Sequence, residues 1–193
     1  MAYSRGIQLE DETTKQIIAA ATGIAQREGI EQLSVKGILA EMGVSNRVFY
    51  NRFRNIDDII QILYNELVQE IRASLKSVQE EGRDYYSYLL ELAVAVVRKI
   101  YQNNLHFRKH LLSYHASNDS NRNWWLTQIQ TILQDGINRG LLRKMNITAV
   151  SYGVYCFCLG FHKEAVGEAL EGEQAIGAFS QSFALLIEGM KPE

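Results

Sequence analysis

Asn46, Arg47, Tyr50, Asn51, Arg52 and Arg54 crowd together directly after the turn-forming run Met42-Gly43-Val44-Ser45. Carboxamides, guanidinium groups and a phenol are side chains that hydrogen-bond base edges and phosphate oxygens. On a helix started at Ser45, Asn46, Arg47, Tyr50 and Asn51 fall on the outer side, and Val48 and Phe49 face in. Ser34 and Ser45, each at a helix start, add a hydroxyl and unpaired amide groups, a combination that suits phosphate. Lys36 adds a positive charge. The chemistry on offer is recognition of a polyanion carrying hydrogen-bonding edges.

Other reactive residues are sparse. His106 and His110 are four apart, so both can face one metal ion from a helix, and only His115 and Glu91 stand as further ligands. Spacing supplies no obvious third ligand, so no metal and no cofactor are expected. Cys156 and Cys158 are two apart and point to different sides of a helix, which argues against a disulfide between them. Neither has a Lys or Arg nearby in sequence to activate it. There is no Gly-rich phosphate loop, no nucleophile elbow and no dense acid/His cluster, so catalysis is not expected.

The 193 residues carry one proline, Pro192, and no sustained period-two alternation. An all-α fold is the expectation. The net charge of −2 does not advertise a nucleic-acid partner. Its distribution does: Lys36, Arg47, Arg52 and Arg54 against Glu41 make residues 34–54 net positive, and the rest of the chain is acidic. The N-terminus lacks the pattern of a signal peptide. The longest near-apolar run, Ala149 to Phe161, is too short to span a bilayer. A reducing cytoplasm and no membrane partner are expected, which makes the Asn-x-Ser/Thr triplets at Asn118 and Asn146 chance matches.

The elements that must position the polar residues follow from helical periodicity. Glu12 to Glu28 reads as an amphipathic helix with Ile17, Ile18, Ala21, Ile24 and Ala25 inward, ended by Gly29. Ser34 caps a second helix with Val35, Ile38 and Leu39 inward, and Gly43 stops it. Ser45 caps a third. A long fourth begins near Asn55, carrying Ile59, Ile60, Leu63, Leu67, Ile71 and Leu75. Two short helices joined by a Gly-containing turn make a helix-turn-helix. Further helices are expected over Tyr85–Tyr101, Leu105–Tyr114, Trp124–Asn138, residues 148–170 and Glu173–Met190, about nine in all. Ser117 to Asn123 reads as a loop.

Ile18-Ala19-Ala20, Gly29, Ser34-Val35, Ile38, Gly43-Val44-Ser45, Phe49-Tyr50 and Phe53 together resemble the N-terminal signature of the tetracycline-repressor (TetR) family of transcriptional regulators. The match runs over about Ile17 to Leu63. Gly140-Leu141-Leu142-Arg143 also resembles that family's lead-in to its eighth helix. Arg47 stands where the family frequently has glycine, and Ile56 where it often has lysine.

The resemblance implies a three-helix DNA-binding domain over 1–55 and a helical domain over 56–193 that dimerises and holds an effector. The expected DNA-binding residues are Ser34, Lys36, Ser45, Asn46, Arg47, Tyr50, Asn51, Arg52 and Arg54. Partners would be duplex operator DNA, a second copy of the chain, and a small apolar or aromatic effector. Phe107, Leu111, Tyr114, Trp125, Tyr155 and His162 are the expected pocket, because ligand sites are apolar with a few polar tips. Val150, Val154, Phe157, Phe161, Ile176, Phe179, Phe183 and Leu186 are the expected dimer interface, although an ordinary core explains the same stripes. The expected function is a repressor released from a palindromic operator. The rival is a helical ligand-binding protein or enzyme without DNA-binding activity.

Overall fold

The computed structural model describes residues 9–76, 78, 84–103, 105, 108, 109, 112 and 119–192. Regular structure among them is helical, as the scarcity of proline and of alternating patterns requires. The chain divides into two compact units. One holds the described residues up to Arg72 with those of Asn103–His110, and the other holds those of Ala73–Gln102 and from Leu111 on. The first unit thus runs past residue 55, where the sequence placed its end. The physical reason is the fourth helix, whose Ile59, Ile62, Leu63, Leu67 and Ile71 are buried.

In the first unit, α1 spans Glu12–Glu28. Asp11 caps it: its carboxylate accepts from the Thr14 backbone N–H at 2.8 Å, and the Thr14 hydroxyl accepts in return from the Asp11 N–H. That reciprocal pair satisfies orphan amide groups of the first turn. Ile17, Ala21, Ile24 and Ala25 bury one face, and Ile18 is only half-buried. After Gly29 and a short 3-10 turn over Ile30–Gln32, Ser34 caps α2 (Val35–Met42), its oxygen accepting from the Gly37 N–H at 3.1 Å. Ile38 and Leu39 point into the core.

Gly43 ends α2 at φ 66°, ψ 29°, in the left-handed region where a side chain is strained. The next helix, α3, is only Asn46–Tyr50. The side chains of Asn55 and Asp58 then open α4 (Ile56–Lys76). The Asn55 side-chain oxygen accepts from the Asp58 N–H at 3.2 Å, and the Asp58 carboxylate accepts from the Arg54 N–H at 2.8 Å.

The second unit contains α5 (Tyr85–Tyr101), α6 (Asp119–Asn138), α7 (Ile147–Gly167) and α8 (Gly172–Glu188). Asp84 caps α5 and Asn146 caps α7 through their side-chain oxygens. Helix α5 packs on α8, and α6 on α7. Their core includes Leu89, Val94, Val97, Leu133, Val154, Phe179, Phe183 and Ile187. Where α5 passes α6, Gly136 leaves room for the Tyr85 hydroxyl, which donates to the Ile132 carbonyl at 2.8 Å. The Tyr86 hydroxyl donates to the Leu141 carbonyl at 2.6 Å, and the Arg143 N–H donates to the Met190 carbonyl at 3.0 Å. These bonds hold the loop after α6 against α5 and the end of α8.

Helix α6 begins at Asp119, within the stretch read from sequence as a loop. Polar composition misled there. Asp119 is favourable in a first turn, Arg122 pairs with it at 3.0 Å, and Asn121 is buried. Eight α-helices lie among the described residues. The expected ninth, Leu105–Tyr114, falls largely outside them.

The strain at Gly43 is conformational only, because a Cβ there would meet nothing within 4 Å. Gly43→Val should therefore lower stability by about 1–2 kcal/mol. Gly43→Asn, a residue that tolerates the left-handed region, should cost much less. Thermal unfolding followed by circular dichroism distinguishes the two. Equal losses would mean that something other than backbone handedness disfavours a side chain at this turn.

Candidate nucleic-acid interface

A helix of five residues cannot hold itself together in water, since nucleation costs more than so few hydrogen bonds return. Helix α3 is held from inside instead. Phe49 and Phe53 are fully buried, their rings 5.3 Å apart, and Tyr50 meets Phe49 edge-on at 5.4 Å. Truncating either phenylalanine would cost about 3–5 kcal/mol by the usual scale for buried aromatics. With Phe49 inward, helical geometry turns the neighbouring positions outward. Ser45, Asn46, Arg47, Tyr50 and Asn51 are all exposed, Tyr50 at 52%.

Ser34 and Lys36 at the start of α2, and Arg54 after α3, are exposed as well. Eight of the nine residues expected to meet DNA thus stand on the surface of one unit. Two details differ from expectation. Ser45 occupies the N-cap position of α3, but its side chain makes no capping bond. Its hydroxyl is not needed by the helix.

The larger difference is Arg52. Its side chain is only 11% exposed and forms a fork on Asp11. Nε donates to Asp11 Oδ1 at 2.9 Å, one terminal nitrogen donates to Oδ2, and the other donates to the Val48 carbonyl at 2.8 Å. Its guanidinium is occupied inside the protein. The sequence reading missed Asp11, although the Asp11-x-x-Thr14 capping pattern was available to mark it as the start of α1. A second ion pair, Arg27 to Glu41 at 2.7 Å, ties α1 to α2. It is exposed, and surface pairs of this kind contribute little.

The residues expected to line a pocket are less informative. Phe107, Leu111 and Tyr114 lie outside the described residues, as do His106, His110 and His115. Trp125 is half-buried, and Tyr155 and His162 are buried. The His162 ring stacks on Phe179 with centroids 5.5 Å apart and meets Phe161 edge-on. A shallow open groove of about 270 Å³ is lined by Ser74, Val78, Glu91, Ala95, Arg98, Lys99 and Gln102, none of them an expected pocket residue. Burial pushes the Cys158 thiol up to about 12, so it stays protonated and unreactive at neutral pH. Among the described residues no group of His, Cys, Asp and Glu is placed to hold a metal ion. None of the described helices is long and apolar enough to cross a membrane.

The residues expected at a dimer interface form a seam within the chain. Phe179 is fully buried, and Val154 and Phe183 are buried. Phe157 lies 5.8 Å from Phe179 and 6.0 Å from Phe183, ring to ring, and Phe179 stacks on Phe183 at 5.3 Å. Val150, Phe161, Ile176 and Leu186 are half-buried against the same core. Besides charged and polar residues such as Lys163, Glu164, Glu173 and Gln181, α7 and α8 leave exposed Tyr152 at 58%, Leu185 at 76%, and Ala149, Gly153, Cys156 and Gly160. The spacing of 149, 153, 156 and 160 is a second helical stripe that the sequence also carried, hidden by its small side chains.

The Arg52 fork, aided by the Thr14 N–H, holds the Asp11 carboxyl well below the usual carboxylate range. Folded Asp11 therefore binds fewer protons than unfolded Asp11 in mild acid, so its contribution to stability grows with pH. That contribution is fully present above the ordinary aspartate value of about 3.9 and is lost as pH falls through the depressed folded value. In melts recorded against pH, Asp11→Asn should be less stable than wild type at neutrality, and the gap should begin to close only below about pH 4 and vanish as pH falls through the depressed folded value. A constant gap at all pH values would show that the carboxylate charge is not what matters.

Comparison with known proteins follows the same division. The family model for bacterial regulatory proteins of the tetR family matches residues 17–62, the stretch that runs from within α1 through α2 and α3 into the start of α4. No curated protein sequence matches the chain. Among solved structures, a TetR-family transcriptional regulator from Pectobacterium atrosepticum superposes with a TM-score of 0.80 at 13% identity, covering 94% of this chain and 95% of that one. A TetR transcription regulator from Haloarcula marismortui gives 0.75 at 16% identity, covering 94% and 99%. A TetR/AcrR-family regulator from Thermobifida fusca gives 0.70 at 16% identity, covering 94% and 100%. At such identities the structures establish a shared fold, and the sequence match over the helix-turn-helix carries the function. Residues 17–62 match the tetR family of bacterial regulatory proteins, the rest of the chain shares the fold of solved regulators of that family, and together these support a DNA-binding transcriptional regulator.

Proposed function

We propose that the protein is a homodimeric, cytoplasmic repressor that binds a palindromic operator and is released from it by a small-molecule effector. The observation that carries the reading is the outer side of α3. Asn46, Arg47, Tyr50 and Asn51 are exposed together on a helix whose opposite side is anchored by Phe49 and Phe53. In this reading α3 enters the major groove. Asn46 and Arg47 read base edges, and Tyr50, Asn51, Lys36, Arg54, Ser34 and Ser45 hold phosphates. A two-fold dimer places one such helix on each half-site, which is why the operator is palindromic.

The dimer surface in this reading is the exposed side of α7 and α8, around Tyr152, Cys156 and Leu185, with small residues Ala149, Gly153 and Gly160 allowing close approach. The aromatic seam beneath it keeps the two helices in register. The effector is apolar or aromatic, in keeping with Trp125 and Tyr155. Its binding shifts the population of two arrangements of the heads through α4, which runs from the first unit into the second. The reading assigns no chemical step to the chain. The match over the helix-turn-helix favours it over a helical ligand-binding protein or enzyme that never meets DNA.

Fluorescence anisotropy tests the head. The probe is a duplex selected from a random pool by the wild-type protein, with a scrambled duplex as control. Arg47→Ala should cost about 1–3 kcal/mol on the selected duplex and relax preference at one position. Tyr50→Phe should weaken binding to both duplexes without changing preference. An altered preference for Tyr50→Phe, or an equal loss on both duplexes for Arg47→Ala, would exchange the assigned roles. Sedimentation tests the dimer. Leu185→Arg should shift the protein to monomer while leaving its helix content unchanged, and a variant that sediments as wild type would move the interface elsewhere.

A further inference from the structure

Helix α3 ends with carbonyl groups that have no intrahelical partner. The Val48 carbonyl is one of them, and it is taken by Arg52 from beyond the helix end. The same guanidinium grips Asp11 in a fork, and Asp11 is itself locked as the cap of α1. The end of α3 is thus tied through one side chain to the start of α1. At its other end α3 has no side-chain cap. Together with the buried phenylalanines, this tie connects α3 to the first turn of α1.

The structure assigns Arg52 and Asp11 a positioning role in DNA recognition: the fork between them sets the angle at which α3 presents Asn46, Arg47 and Tyr50, and Arg52 itself does not contact DNA. The inference rests on the head's DNA binding. Three observations favour it over a phosphate contact. Arg52 is the one basic residue of 34–54 that is not exposed. Its donors are directed at a carboxylate and a backbone carbonyl. Moving it to a phosphate would leave the Asp11 carboxylate without its guanidinium and return the Val48 carbonyl to an unpaired state, a cost that an exposed lysine or arginine does not carry. A planar fork also fixes direction in a way that a point charge does not.

The two roles predict opposite signs for one substitution. Asp11→Asn keeps an N-cap acceptor for α1 and removes the charge that holds the fork. If Arg52 positions α3, Asp11→Asn weakens binding to the selected duplex. If Arg52 instead reaches phosphate, the substitution frees it and deletes a nearby negative charge, and binding tightens. Arg52→Lys separates the roles again, because lysine keeps the charge for a phosphate and loses the fork.

The experiment is anisotropy with the full-length protein, the selected duplex and the scrambled duplex, across a salt series, at a temperature where circular dichroism shows each variant folded. Asp11→Asn and Arg52→Lys should each weaken the selected duplex at least about fivefold, the lower end of what one lost base contact costs. Their affinity for the scrambled duplex and the slope of log affinity against log salt should match wild type. The double variant should be no weaker than the worse single, since the two residues act as a unit. Arg52→Ala with a slope reduced by about 0.9 and equal loss on both duplexes would overturn the inference in favour of a phosphate contact. Lowered melting temperatures with unchanged affinity would overturn it in favour of a stabilising pair alone. Wild-type protein that fails to distinguish the two duplexes would overturn the DNA-reading role of α3 and the positioning role together.

Discussion

Helix α3 has five residues, and that shortness is the constraint on which the DNA-binding head depends. A helix long enough to be stable by itself could present its polar side chains with little help. This one has to be held by its neighbours. Phe49 and Phe53 anchor it into the core of the first unit, Gly43 turns the chain sharply enough to start it, and Arg52 fastens its end to the cap of α1. Each of these residues helps to set where Asn46, Arg47 and Tyr50 point without itself standing on the exposed side of α3. A rigid reading element built from few residues needs an unusual share of the surrounding chain to define it.

The same logic explains the charge pattern. A chain of net charge −2 would bind a polyanion poorly if its charges were spread evenly. Residues 34–54 gather four basic groups, and the fold then sorts them. Lys36, Arg47 and Arg54 are left in solvent, where they can meet phosphate or bases. Arg52 is withdrawn to the half-buried carboxylate of Asp11. Formal charge counted along the sequence therefore overstates what the head offers to DNA by one positive group.

In the second unit the organising feature is an aromatic seam. Phe157, Phe161, Phe179 and Phe183 interlock between α7 and α8, with His162 stacked on Phe179. A stripe of large apolar residues at helical spacing says only that a face is buried. It does not say whether the covering surface belongs to the same chain or to another. Here the large side chains fill the interior of their own unit, and the outward side carries small residues with Tyr152 and Leu185.

By itself the sequence determined what depends on local physics. Helical class, the cap at Ser34, the stop at Gly43 and the outward side of α3 all follow from periodicity and backbone preference within a few residues. Those rules are short-ranged, so they can be read without knowing the fold. Tertiary structure alone decided the partner of Arg52, forty-one positions away at Asp11. It also decided the intramolecular burial of Phe179 and Phe183, and the helical state of residues 119–123. In each case the deciding energy comes from a neighbour distant along the chain, a carboxylate, an aromatic ring or a buried face. No periodicity encodes which distant neighbour will be present. The sequence could list the side chains able to meet DNA, and only the fold could withdraw one of them to hold the others in place.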